Sequence, residues 1–107
     1  MPDLLRLIDV FNKLDEFEMD HALYLKAGEK WDLNSVGAVI DPDEAEDPDG
    51  EYFDFRDENN LTYVLEVSII DQIKNNAEYQ LGKVTLEQLL DAFRYYFQHD
   101  AFKDWSK

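Results

Sequence analysis

Ten carboxylates crowd into eighteen positions: Asp41, Asp43, Glu44, Glu46, Asp47, Asp49, Glu51, Asp54, Asp57 and Glu58, with Arg56 the one cation among them. Acids at this density can hold a metal ion, move protons, or present a negative face to a basic partner. Calcium binding is the most demanding of these and can be tested by spacing. With Gly50 at the sixth position of an EF-hand loop, Asp47 and Asp49 fall at the third and fifth, as required. The first and twelfth then fall on Ala45 and Arg56, where carboxylates are needed. The segment is therefore expected to hold no metal at a dedicated site, leaving only weak, nonspecific cation binding.

Acid–base catalysis by a carboxylate pair would need one pair to stand out, and here the acids are too many for any to do so. The other catalytic groups are sparse. The chain has no cysteine and two histidines, His21 and His99, far apart in sequence. Ser35, Ser68 and Ser106 lie in no G-x-S-x-G turn, the arrangement that exposes a serine nucleophile. Four glycines in all form neither a P-loop nor a G-x-G-x-x-G phosphate cradle. The expectation is a protein that is not an enzyme, with no catalytic residue and no cofactor.

What remains is binding. Asp43, Glu44, Glu46, Asp47, Asp49, Glu51 and Asp54 are the candidate partner-binding residues, beside the aromatic cluster Tyr52, Phe53 and Phe55. Aromatics anchor and charges steer at protein interfaces, although Phe53 and Phe55 read more naturally as core. The whole chain has the same sign: 25 acids face 10 lysines and arginines, a net charge of −15. Nucleic acid and anionic membranes bind basic patches, so neither is expected as a direct partner. A basic protein is, and self-repulsion favours a monomer.

The elements that must position these residues follow from periodicity. At 45% apolar residues, with seven Phe, six Tyr and two Trp, the 107 residues can build one core and are expected to form a single domain over 1–107. Leu4, Leu7, Ile8, Phe11 and Leu14 recur at helical spacing behind Asp3, as N-cap or first-turn acid. Residues 21–25 and 34–40 read as a hairpin around the turn 27–30, with Trp31 anchoring the second arm. Residues 41–51, broken by Pro42, Pro48 and Gly50, read as a loop, and 52–58 as a short helix ended by Asn59 and Asn60. Residues 61–67 read as a strand. A helix capped by Ser68 is expected next, with Ile69, Ile70, Ile73 and Ala77 inward. Thr85 and Gln88 form a capping box for the last helix, whose stripe is Leu86, Leu89, Leu90, Phe93 and Phe97. The order is α-β-β-(α)-β-α-α. It predicts an α+β fold with a small, mainly antiparallel sheet of about three strands, helices covering one face. Met1-Pro2-Asp3-Leu4 begins no secretory signal and no apolar run approaches a membrane span, so a cytoplasmic location is expected.

Three segments, Val39-Ile40-Asp41-Pro42-Asp43-Glu44, the stretch Phe53 through Glu58-Asn59-Asn60-Leu61-Thr62-Tyr63, and Ala92-Phe93-Arg94-Tyr95-Tyr96 with Asp100-Ala101-Phe102, resemble a family of small acidic bacterial domains. That family in turn resembles immunity proteins of contact-dependent inhibition and other polymorphic-toxin systems. The resemblance spans most of the chain and carries over no functional residue. It implies an antitoxin that occludes the active site of a basic toxin, such as a nuclease with a phosphate-binding cleft. A nucleic-acid mimic is the alternative, disfavoured because its charges should spread along an extended face and here they concentrate. A metal-binding or metabolic accessory domain is a third.

Overall fold

In the computed structural model, which describes residues 3–106, the chain runs β1 (Leu5–Arg6), α1 (Leu7–Asn12), a 3-10 turn (Leu14–Glu16), β2 (Ala22–Lys26), β3 (Val36–Ile40), α2 (Pro42–Glu46), α3 (Phe53–Glu58), β4 (Leu61–Glu66), α4 (Val67–Leu81) and α5 (Leu86–His99). The four strands form one antiparallel sheet in the order β1-β3-β2-β4. The α+β class with a small antiparallel sheet is as expected, and the fourth strand is the short β1.

Successive side chains of a strand point to opposite faces, and both faces of this sheet are covered. Leu23 and Leu25 of β2 join Leu7, Phe11, Ile70, Ile73, Leu89, Leu90 and Phe93 in the larger core, beneath α1, α4 and α5. Ala22, Tyr24, Ala38, Ile40 and Leu61 turn the other way, onto Ala45 of α2 and Phe55 of α3. The expectation of helices on one face is thus corrected: the acidic segment is itself the second layer. A bulge helps fill the larger core. Leu23 pairs with Leu65 and Tyr24 with Tyr63, so Val64 is an extra residue on β4, and both Val64 and Leu65 pack into that core.

Two helices start where distant carbonyls accept their first N–H groups, which have no partner within the helix. Leu7 N donates to Ser35 O (2.8 Å) and Ile8 N to Leu33 O (2.9 Å), so α1 begins at Leu7, after Leu5–Arg6 has paired with Val36 and Gly37. Arg6, not Asp3, occupies the N-cap position, and the first-turn acid is Asp9. Likewise Val67 N donates to His21 O (2.9 Å) and Ser68 N to Met19 O (3.1 Å), so α4 starts before Ser68, which does not cap it. The capping box of α5 forms as expected, with Gln88 N donating to Thr85 Oγ1 (3.1 Å) and Thr85 N to Gln88 Oε1 (3.0 Å). Asn60 takes the left-handed conformation (φ 54°) after α3. Among the described residues, no helix is long and apolar enough to cross a membrane.

Candidate partner-binding face

Segment 41–51 is not a loop throughout. Asp41 Oδ1 accepts from Asp43 N (3.0 Å), Pro42 stands in the first turn where its missing N–H is harmless, and Asp43 and Glu44 add negative charge at the helix start. This Asp-Pro-x-Glu signature was present in the sequence; reading proline only as a breaker hides it. Asp47 ends α2, and its Oδ1 and main-chain O accept from Asp49 N (3.0 Å) and Gly50 N (2.7 Å). Gly50 is required by close approach: a Cβ there would lie 2.3 Å from Glu44 O.

The seven candidate acids are brought into one α2–turn–α3 unit, but they divide by what their oxygens do. Glu44 Oε2 accepts from Glu51 N (2.8 Å), bridging the two ends of the turn. Glu46 reaches inward on both oxygens. Oε1 accepts from the buried Tyr24 hydroxyl (2.9 Å), and Oε2 pairs with Arg56 Nη1 (2.9 Å). Arg56 Cζ also sits 4.9 Å from the Phe53 ring centroid, and its Nε is buried without a hydrogen-bond partner. Burial raises the Tyr24 pKa well above its ordinary value, reinforced by the hydrogen bond to Glu46 and by that carboxylate's charge. Tyr63, edge-on to Tyr24 at 5.6 Å, is raised by burial and by Glu66.

Glu44, Glu46 and Asp47 therefore hold the unit together. Asp43, Asp49, Glu51 and Asp54 are exposed, and among the described residues no cation lies within ion-pair distance of their carboxylates. Asp57 and Glu58, exposed on the last turn of α3, join this outward set although they were not among the candidates. Phe55 is buried in the smaller core with Tyr52 packed against it, and half-buried Phe53 lies under the Arg56 guanidinium.

Among the described residues, no group of three or more acidic or histidine side chains is arranged to hold a metal ion. His99, in the last turn of α5, is exposed and stacked on Tyr95 at 4.3 Å between ring centroids. Trp31, between β2 and β3, donates from Nε1 to Lys26 O (3.1 Å) and packs against Phe93 and Phe97, tying the hairpin to α5.

No curated protein and no solved structure matches the chain. A family model described as a domain of unknown function (DUF7716) matches residues 4–105, and the chain belongs to that family.

Proposed function

We propose that the α2–α3 layer is a docking face for a basic protein, and that the chain acts as an immunity protein occluding the active site of a cognate toxin, such as a nuclease. The observation that carries this reading is the set Asp43, Asp49, Glu51 and Asp54: four exposed carboxylates with no cation at ion-pair distance among the described residues, on a layer whose other acids fix its shape. Preorganised charge favours fast association, and steering of this kind can raise rates to about 10⁸–10⁹ M⁻¹s⁻¹ at low salt. An inhibitor that must act before a toxin reaches its substrate gains from that speed. The resemblance to immunity proteins supports the choice of partner.

The test is co-expression with the toxin-domain candidate encoded immediately upstream, followed by stopped-flow association at rising salt. A stoichiometric complex, protection of the cell, and an association rate falling about tenfold or more in D43N/D49N/E51Q/D54N are expected. Absence of a complex and of protection would overturn the immunity reading. Inhibition of unrelated DNA-binding proteins would replace it with nucleic-acid mimicry.

A further inference from the structure

The connection between β2 and β3 and the C-terminal half of α5 enclose a half-open notch of about 320 Å³, lined by Glu29, Lys30, Trp31, Arg94, Phe97 and Gln98. Small-ligand sites begin at about this size, about 300 Å³. Phe97 belongs to the same helical stripe as Phe93, yet Phe93 is fully buried while Phe97 is 45% exposed. Its ring meets Trp31 edge-on, with centroids 4.7 Å apart, and the two make an aromatic wall. Arg94 is held beside that wall: Nε donates to Trp31 O at 2.6 Å, and its Nη groups make no hydrogen bond among the described residues. A guanidinium so fixed presents a planar pair of donors, the geometry that matches a carboxylate. Lys30 is a second cation in the lining, and Glu29 its one acid.

We propose that this notch binds a small planar aromatic carboxylate, its ring against Trp31 and Phe97 and its carboxylate on Arg94. Aromatic rings favour edge-to-face and offset contacts such as this wall offers. One negative charge suits the site better than several. The chain's net charge of −15 repels every anion in proportion to its charge, and salt screening over a Debye length of about 8 Å leaves that repulsion small for a single charge. The lining cations also oppose any basic partner, so the notch is independent of the acidic face.

The probe is indole-3-acetate, titrated into the full chain while NMR follows the indole Nε1–H signals of Trp31 and Trp105, with indole-3-acetamide as the neutral isostere. Saturable movement of the Trp31 signal is expected, with Trp105 unmoved. The amide should bind about tenfold more weakly, the loss of one charge-assisted contact. Phe97→Ala should weaken the acid about tenfold. Lys30→Gln, which leaves the Arg94–Trp31 contact in place, should weaken the acid and not the amide. D43N/D49N should bind the probe as the wild type does. Equal affinity for acid and amide, indifference to Phe97→Ala, or no saturation at millimolar probe would each overturn the proposal.

Discussion

The two faces of the sheet carry layers of different kinds. On one, α4 and α5, of 15 and 14 residues, bring long apolar stripes onto Leu23, Leu25 and Val64, with Phe11 and Phe93 edge-on at 5.6 Å. On the other, helices of 5 and 6 residues contribute only Ala45 and Phe55 and rest on Ala22, Tyr24, Ala38, Ile40 and Leu61. Isolated helices so short are unstable in water. Three of its seven buried residues are alanines, which bury little area, so the second layer depends on Phe55 against Tyr24, Ile40 and Leu61, one turn and the Tyr24–Glu46–Arg56 contact. The first layer holds the fold; the second is an attachment whose rigidity is set by a few groups. That asymmetry is what lets an exposed acidic surface have a defined shape without a large core of its own.

The strongest way to break the comparison is at the centre of the larger layer. Phe93→Ala should cost about 3–5 kcal/mol, transfer and cavity together, a large share of the stability of about 5–15 kcal/mol usual for a domain. Denaturant unfolding should show one transition at a lower midpoint, with both layers lost together. Phe55→Ala, at the rim of the smaller core, should fall at the low end of that range, about 3 kcal/mol, and its signature should be local. Hydrogen exchange should quicken across 42–58 while α4 and α5 keep their protection. Equal loss of protection in both layers would show that the second is no attachment but part of one cooperative core.

The same asymmetry explains what could be read from the sequence. Thr85 with Gln88, and Asn60 after α3, are local devices, complete within a few residues, and both were legible. The starts of α1 and α4 were not, because their first N–H groups are satisfied by Ser35, Leu33, His21 and Met19. A carbonyl many residues away leaves no mark on the helix it caps. The acidic segment was legible as a place but not as a form: Asp41-Pro42 opens a helix, and its charge density suggested an extended loop. Nor could the candidate acids be sorted. Glu46 is distinguished from Asp49 by Tyr24, 22 residues upstream, and Arg56, 10 downstream, and the notch by a contact between Trp31 and Arg94, 63 residues apart.

Tyr24 probes the seam between the layers. Tyr24→Phe removes the hydroxyl from Glu46, which keeps Arg56 and access to water, so the cost should be about 1 kcal/mol. The pH dependence is more telling. Burial raises the folded-state pKa of Tyr24 above its ordinary value of 10.0, so its phenol stays protonated in the folded chain while the unfolded chain ionises. Its contribution is therefore whole below about pH 10 and falls as pH climbs toward the folded-state pKa, by about 1.4 kcal/mol per unit. Denaturant curves at about pH 10 and 11 should show the wild type losing more stability than Tyr24→Phe. Parallel losses would mean that the hydroxyl is not held as the geometry indicates.

The smallest effect should have the opposite sign. Asp43 and Asp49 are exposed, without a cation at ion-pair distance among the described residues, and surrounded by like charge. Replacing both by Asn removes self-repulsion and no hydrogen bond accepted by either side chain, and the relief outweighs the loss of Asp43's charge at the start of α2, so Tm at low salt should rise by less than it falls in Tyr24→Phe. Added salt should shrink the gain, because it screens the same repulsion in the wild type. Glu46→Gln should behave differently, lowering Tm at every salt concentration because it weakens the pairing with Arg56. If D43N/D49N also lowers Tm, those carboxylates hold the layer together as Glu46 does, and the division between outward and inward acids fails. A gain at low salt that vanishes at high salt instead marks them as charges carried at a cost to stability, as a surface kept for a partner would be.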